Sequence, residues 1–192
     1  DTTGLSGWKK SGIYPPEMKE EVCDDSEWIH KMVELCNWPR VYCEGSFYQT
    51  DDGVLHMLYR TSTEYLWVSH SYDDGESWSQ PEATDFTNDW SKFHVGRLPD
   101  GRFYWVGNSD SSRGRLPLVR NPLVISTSED GVLFDKHYII GDKHFEARRE
   151  GEWKGGDYGY PHTIINGEYM HVIVSHAKES VSVFRFKLND LK

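Results

Sequence analysis

The sequence predicts an all-β protein made of repeated antiparallel sheets, and three observations support this. First, aromatic residues form 14% of the 192 residues, with 8 Trp and 11 Tyr, and 17 Gly accompany them, a composition typical of turn-rich β proteins. Second, turn signals recur along the chain next to apolar runs of strand length. Third, one of these turns has a strongly constrained sequence. A chain of this length ordinarily forms one domain with a substantial core.

The constrained turn is the octet Ser71–Trp78, which reads Ser-Tyr-Asp-Asp-Gly-Glu-Ser-Trp. Asp73 can accept N–H bonds from the residues that follow it, and Gly75 can adopt a positive φ. The two Ser hydroxyls can bond locally, and the final Trp can turn back over an apolar core. The preceding run 65–71 alternates apolar and polar residues, which predicts a half-buried strand. The octet therefore predicts the tip of a tight hairpin.

Two interleaved series of turns divide the chain into repeats from residue 41 onward. In the first series a turn precedes an apolar run, and in the second a strand precedes the turn and an aromatic residue closes it. The turns are Asp52-Gly53, Asp100-Gly101 and Asn166-Gly167 in the first series, and Asp74-Gly75 and Asp130-Gly131 in the second. The intervals are 48 and 66 residues in the first series and 56 in the second. Repeats of about 40–50 residues with about four strands each are typical of β-propeller blades.

Three blades are visible in residues 41–192, and residues 1–40 form the least regular part. A fourth blade is present if residues 1–40 contribute strands. Within them, Asp24–Ser26 can cap a short helix with an apolar side, and a loop across the propeller face is the alternative. Residues 142–159 are charged and Gly-rich, which predicts a long connecting loop of the kind that often carries function.

The octet resembles the Asp-box of sialidases and of other propellers with bacterial-neuraminidase repeats. The segment Thr127-x-Glu129-x-Gly131-x-x-Phe134 is interpreted as a weaker second copy. The resemblance implies a six-bladed β-propeller of the sialidase type, with about three to four blades in this chain, as in the C-terminal half of a catalytic domain. A hairpin tip in an unrelated β protein is the alternative.

Further segments resemble, in order and rough spacing, the sialidase segments that carry functional residues. Glu44 and Arg60 flank the first turn, in a pattern similar to the segment with the mechanistic Glu and one substrate-binding Arg. Arg120, followed by Asn-Pro-Leu, resembles the segment that provides another such Arg. Tyr160, followed by Pro, matches the element whose Tyr is the nucleophile, and Tyr158 is close enough to exchange roles with it. Each of these residues also has a structural alternative. Arg60 could be a surface charge at a strand end and Glu44 could end a turn. Arg120 could belong to a solvated basic loop, and Tyr160 could pack in the core.

The chemistry explains why these residue types belong together. A sialoside carries a carboxylate on its anomeric carbon, and Arg guanidinium groups bind carboxylates bidentately. That carboxylate would repel an anionic nucleophile, whereas a neutral Tyr hydroxyl activated by a Glu avoids the repulsion. The resemblance therefore implies that Glu44 takes the proton of Tyr160 while Arg60 and Arg120 hold the substrate carboxylate. A covalent glycosyl–enzyme intermediate and retention of configuration would follow, with no cofactor.

Two family elements have no counterpart in this order: the first Arg of the triad and the Asp acid/base. Both normally lie N-terminal of the position of Glu44, and Arg40, Asp24 and Asp25 come too late to be carried over. We therefore expect the other half on a second chain, or an incomplete catalyst. The open sheet edges and blade faces of a partial propeller favour pairing with a second polypeptide or with another copy.

Two other functions stay open. A polysaccharide lyase on a related propeller needs a Tyr or His base and an Arg that neutralises a uronate carboxylate. His94, Tyr160 and Arg60 fit those roles, although Glu44 is then unexplained. A non-catalytic carbohydrate-binding or assembly module is the third hypothesis.

The composition also limits which binding partners and cellular locations we expect. A net charge of −10 argues against nucleic acid as a partner, so we expect an anionic carbohydrate bound by a few converging Arg. No apolar run is long enough to span a bilayer, and no basic-plus-apolar leader begins the chain. Since the chain does not begin with Met, we expect a processed product or a piece of a longer polypeptide that is secreted, periplasmic or at the cell surface.

Neither cysteine nor histidine spacing predicts a metal site. Cys23, Cys36 and Cys43 are 13 and 7 residues apart, which is not a zinc pattern but permits one disulfide. The histidines for which we expect structural roles are His94, His162 and His176.

Overall fold

The structure is a computed structural model that describes most of the chain after residue 41. The described residues are 6–7, 42–61, 65–89, 91–109, 119–151 and 154–192. Of residues 42 and 43 the backbone alone is described. The predicted N-terminal helix, the boundary at residue 40, the possible fourth blade and the pairing of the cysteines lie outside these ranges.

Almost all regular structure in the described residues is β-strand. The strands are β1 (Tyr42–Gln49), β2 (Leu55–Thr61), β3 (Tyr65–Ser71), β4 (Glu82–Thr87), β5 (His94–Arg97), β6 (Phe103–Gly107), β7 (Leu123–Ser128), β8 (Lys136–Gly141), β9 (Gly159–Asn166), β10 (Tyr169–His176) and β11 (Ser180–Lys187). A 3-10 helix, Leu188–Asp190, follows β11.

The strands form three antiparallel sheets in which neighbours in sequence are neighbours in space. The first blade is β1–β4, the second is β5–β8 and the third is β9–β11. The turns at Gly53, Gly101 and Gly167 each join the first two strands of a blade, and those at Gly75 and Gly131 join the third and fourth. Both series of turns therefore fall where blade repeats require them, and the prediction of three blades is confirmed.

Apolar sheet faces pack between successive blades. Leu66 and Trp105 are fully buried between the first and second blades, and Ile125 and Met170 between the second and third. Burial of a large apolar side chain contributes about 1.5–3 kcal/mol. These faces therefore hold the blades in order.

The strand before the octet has its predicted bounds but not its predicted burial. Alternation over 65–71 predicted a half-buried strand, yet Leu66, Trp67, Val68 and Ser69 are all buried. Leu66 and Val68 belong to the core shared with the second blade, and the opposite face is covered as well. An alternating pattern predicts which face of a strand is apolar. It does not predict whether tertiary contacts also bury the polar face.

The octet forms the predicted hairpin tip. Ser71 Oγ donates to Asp73 Oδ1 at 2.8 Å and accepts the Gly75 N–H at 2.8 Å, while Asp73 accepts both the N–H and the hydroxyl of Ser77 at 2.9 and 2.6 Å. Gly75 has φ +85°. The hydroxyl and N–H of Ser77 lower the pKa of Asp73, so this carboxylate stays ionised and keeps accepting them.

In the second copy of the octet, the Ser and Asp that cap the turn each lie one residue later than the sequence pattern predicted. Ser128 Oγ donates to Asp130 Oδ1 at 2.9 Å and accepts the Gly131 N–H at 2.9 Å, whereas Thr127 and Glu129 take no part in these bonds. Ser128, like Ser71, is the last residue of its strand. Because this turn is one residue shorter, the hydroxyl and carboxylate that cap it shift by one position.

The outward face of the third blade is open to solvent. The exposed apolar residues on it are Ile164, Ile173, Val181 and Val183. In the described ranges, no helix has the length and apolar character needed to cross a bilayer.

Ser71→Ala should lower the free energy of unfolding by about 1 kcal/mol, because it leaves the partly buried Gly75 N–H without its acceptor. Urea unfolding followed by Trp fluorescence measures this. Ser180→Ala, which alters an exposed hydroxyl on β11, is the matched control and should change little. Equal stability of the two variants would contradict a capping role for Ser71.

Candidate active site at the innermost strands

The first strands of the three blades lie side by side. β5 contacts both β1 and β9. The Val95 N–H on β5 donates to Ser46 Oγ on β1 at 3.2 Å. The ring of His94, next to Val95, contacts that of His162 of β9, with 4.1 Å between the centroids and the planes tilted by 59°. Side chains from all three blades therefore meet along these strands.

Glu44 and Tyr160 both lie in β-bulges on these strands. In β1, Glu44 and the glycine after it lie opposite the single residue Tyr59 of β2. In β9, Tyr160 and the proline after it lie opposite the single residue Val174 of β10. Glu44 has φ +46° and Tyr160 has φ +56°, a backbone region that costs a non-Gly residue about 1–3 kcal/mol. A bulge re-aims its side chain out of the regular pleat, so both strands are locally distorted to direct these two groups.

Glu44 and Arg60 are in direct contact. Arg60 stands beside Glu44 across the β1–β2 pair, and its Nη1 donates to Glu44 Oε2. The side chains are 13% and 31% exposed for Arg60 and Glu44, respectively. This ion pair is therefore largely sheltered but still reachable from solvent.

Arg120 is held in the same region by backbone and side-chain contacts. It is 3% exposed and has φ +49°. Its N–H donates to Asp89 Oδ2 at 2.5 Å, and its carbonyl accepts Asn108 Nδ2 at 2.9 Å. Gly156 has φ +83° and lies so close to the Arg120 stem that an added Cβ would be 2.5 Å from Cδ. Glycine is thus the residue that permits this approach.

The electrostatics link the predicted site residues to one another. Burial lowers the pKa of Arg120, and the positive charge of Arg60 lowers it further. Glu44, Tyr160 and Asp89 act in the opposite direction, and the Arg120 Cζ lies 5.9 Å from the centroid of the Tyr160 ring. The four residues that the sequence singled out are therefore brought together from three blades.

The comparisons with known proteins agree with this architecture. A family model described as "BNR repeat-like domain" matches residues 22–172, which is more than half of the chain. The chain belongs to this family. The comparison with curated proteins finds no significant match.

Solved structures similar to this BNR repeat-like domain include two sialidases and an arabinofuranosidase. The NanB sialidase from Streptococcus pneumoniae has a TM-score of 0.57 and 17% identity, over 78% of this chain and 24% of that one. A Hadza microbial sialidase has a TM-score of 0.60 and 13% identity, over 79% and 28%. An α-L-arabinofuranosidase from Fusarium graminearum has a TM-score of 0.50 and 13% identity, over 75% and 44%. At such identities the likeness shows the fold, a sialidase-type propeller, and the chain spans about a quarter of the length of the two sialidases.

The two candidate tyrosines of the BNR repeat-like domain have different environments. Tyr158 is 1% exposed, packs in the core between the second and third blades, and its hydroxyl accepts the Lys143 N–H at 2.9 Å. Tyr160 is 39% exposed, and its hydroxyl has no hydrogen bond to the described part of the chain. Of the two, Tyr160 is placed to meet a ligand.

The histidines also divide into two groups. His176 is 4% exposed and stacks on Phe145 with 4.0 Å between centroids, as a core residue does. His94 lies between the two bulged strands, and its Nδ1 is 2.7 Å from Thr163 Oγ1. Burial, with the neighbouring His162, lowers the pKa of His94 to about 4. Within the ranges that the structure covers, no three or more His, Cys, Asp or Glu form a cluster that could hold a metal ion.

The loop between β8 and β9 carries Gly156 and is bonded to two other segments outside the strands. Glu179, just after β10, accepts Lys154 Nζ at 2.6 Å and the N–H groups of Arg148 and Arg149 at 3.1 and 2.8 Å. These bonds, with Lys154 the largest cause, lower the pKa of Glu179 to about 2. Asp157 accepts Asn121 Nδ2 at 2.7 Å, next to Arg120. The loop therefore supports the Arg120 segment.

Sequence reasoning missed these supporting residues. Asp89, Asn108 and Gly156 hold Arg120, yet none belongs to a recognisable motif. The available signal was the paired glycine before Asp157 in a segment interpreted only as a long loop. A pair of glycines there indicates a close backbone approach.

Glu179→Ala should accelerate amide hydrogen exchange at Arg148 and Arg149, because both N–H groups lose their acceptor. Hydrogen–deuterium exchange read by NMR measures the rates. Glu168→Ala, in the exposed β9–β10 turn, is the control. Unchanged exchange at both amides would show that Glu179 does not fix the loop.

Acidification from about pH 6.5 to about pH 4 should lower the free energy of unfolding partly through His94. In this window the unfolded chain binds the His94 proton and the folded chain does not, so protonation favours unfolding. Urea unfolding at pH 7 and pH 5 measures the loss. His94→Asn removes this contribution and should lose less stability than the unsubstituted protein over the same interval. An identical loss in both proteins would contradict the assignment.

Proposed function

We infer that this BNR repeat-like domain contributes the substrate-carboxylate site and the nucleophile of a retaining glycoside hydrolase that acts on an anionic sugar of the sialoside type. The observation that carries this proposal is the convergence of Glu44, Arg60, Arg120 and Tyr160, three of them on left-handed backbone. Backbone strain of this kind clusters at functional sites. The similarity of fold to sialidases is consistent with this function, and the chemistry of the four side chains is the main support for it.

The two arginines favour an anionic ligand. Two guanidinium groups close enough for Arg60 to lower the pKa of Arg120 repel each other, and burial increases the cost. A carboxylate that binds between them would relieve this repulsion and form charge-assisted hydrogen bonds. A neutral sugar such as arabinose carries no charge and would not relieve this repulsion.

Tyr160 is proposed as the nucleophile and Glu44 as its base. In the ligand-free arrangement Glu44 is bonded to Arg60 rather than to the Tyr160 hydroxyl. We propose that a substrate carboxylate competes for Arg60 and thereby frees Glu44 to accept the Tyr160 proton. The phenolate would then attack the anomeric carbon, expel the aglycone oxygen and form a covalent glycosyl–enzyme intermediate.

The remaining parts of the mechanism are the acid/base that protonates the aglycone and a further carboxylate-binding Arg. The described residues offer no match for either in the order that the resemblance requires. Since the chain spans about a quarter of the length of the sialidases it resembles, binding and turnover are tested separately.

Arg60→Ala and Arg120→Ala should each weaken binding of N-acetylneuraminic acid by about 10- to 100-fold, because each removes a charge-assisted hydrogen-bond donor. Isothermal titration calorimetry measures this, with the methyl ester of the same sugar as a neutral ligand whose binding should change little. Arg185→Ala, on the outward face of the third blade, is the matched control. Equal affinity for acid and ester would contradict the proposal.

Release of aglycone from an aryl sialoside tests turnover. Tyr160→Phe should abolish release and keep binding, and Glu44→Gln should slow it by at least about 100-fold. Unsaturated uronate absorbance on polymer digestion would instead indicate a lyase. Binding without turnover, unaffected by Glu44→Gln, would indicate a non-catalytic module.

A further inference from the structure

A chain of hydrogen bonds lies between the two bulged strands. The Tyr104 hydroxyl on β6 is 2.7 Å from Thr163 Oγ1 on β9, and the same Oγ1 is 2.7 Å from Nδ1 of His94 on β5. Tyr104 is 4% exposed and Thr163 is 7% exposed. Two side chains of the second blade thus share one buried oxygen of the third blade.

The proton positions in this chain follow from counting donors and acceptors. The only hydrogen-bond partner of the Tyr104 hydroxyl in the described part of the protein is Thr163, so Tyr104 must donate to it or bury an unpaired O–H at a cost of about 1–3 kcal/mol. Thr163 Oγ1 could accept from both neighbours, but it has no other hydrogen-bond partner among the described residues, so its own hydrogen is paired only if Nδ1 of His94 accepts it. The imidazole is therefore neutral with its hydrogen on Nε2.

The Nε2–H group of His94 points to an accessible position. Nε2 has no hydrogen bond to the described residues and is not among their buried unpaired polar atoms. His94 lies on the strand between those that carry Glu44 and Tyr160: Val95 donates to Ser46, two residues after Glu44, and the His94 ring contacts that of His162, two residues after Tyr160. The pKa of His94, about 4, keeps the ring uncharged at neutral pH.

We propose that Tyr104 and Thr163 are positioning residues that fix His94 as a neutral Nε2–H donor, and that this donor binds a hydroxyl oxygen of the sugar held by the arginine pair. The second half of the proposal rests on the proposed function, and the first half does not. A neutral donor suits an uncharged sugar hydroxyl, because it adds no further positive charge beside Arg60 and Arg120.

The same assignment bears on the lyase hypothesis, in which His94 would be the base. A base needs a free lone pair within reach of the substrate. On His94 the accessible nitrogen carries a hydrogen, and the nitrogen with the lone pair accepts from buried Thr163. His94 in this state can donate to a ligand and cannot deprotonate one.

Long-range 1H–15N NMR of the imidazole rings at pH 7 tests the tautomer without any ligand. His94, assigned by the loss of its signals in His94→Asn, should give the Nε2–H pattern. Thr163→Val should convert it to a mixture of tautomers, Tyr104→Phe should do so partly, and Thr163→Ser should retain the original pattern. An Nδ1–H pattern in the unsubstituted protein, or no change in Thr163→Val, overturns the positioning role.

Binding of N-acetylneuraminic acid tests the donor role. His94→Ala should weaken binding by about 2- to 10-fold, Thr163→Val should weaken it less, and Thr163→Ser should restore it. The resonance of the His94 Nε2–H should also shift on titration with the sugar. Binding that is unaffected in His94→Ala overturns the donor role while leaving the arginine site standing. If the unsubstituted protein binds no acidic sugar, the donor role fails together with the proposed function, and the NMR result alone decides the tautomer.

Discussion

The packing of apolar sheet faces is the interaction on which the rest of the structure depends. Each blade is a meander that cannot bury its own faces, and the cores around Trp105 and Met170 form only when blades stack in sequence order. That stacking brings β1, β5 and β9 together, although more than forty residues separate each from the next along the chain. The contacts in the candidate site that join different blades are a consequence of this apolar arrangement.

The site itself concentrates conformational and electrostatic strain. Glu44, Arg120 and Tyr160 adopt left-handed backbone, and two guanidinium groups lie close together with little solvent to screen them. The compensating contacts come from around the site: the carboxylates of Glu44 and Asp89, the amide of Asn108 and the close approach of Gly156. Such an arrangement costs stability in the absence of a ligand, and an anion would recover part of that cost.

Much of the fold could be predicted because turns and strands are local. The Gly53, Gly101 and Gly167 turns and the octet at Ser71–Trp78 carry their own hydrogen-bond and φ requirements, so their spacing alone indicated blades. The two errors have different causes, one local and one tertiary. Thr127 and Ser128 are both hydroxyl residues at the end of β7, and only the length of the turn selects Ser128 as the cap. Burial of both faces of β3 depends on contacts that an alternating pattern does not contain.

The sequence by itself determined the tight turns and the strands beside them, because residue type and spacing control backbone conformation over short distances. The four candidate site residues came from the resemblance of their segments to those of sialidases. The tertiary structure decided which of those residues meet, that Tyr160 is accessible while Tyr158 is buried, and that Asp89, Asn108 and Gly156 hold Arg120. It also decided the hydrogen-bond chain from Tyr104 to His94. These contacts join residues far apart in sequence, and their partners are fixed by sheet pairing, by sheet stacking and by bulges, which shift a side chain by changes in backbone path that no single stretch of sequence encodes.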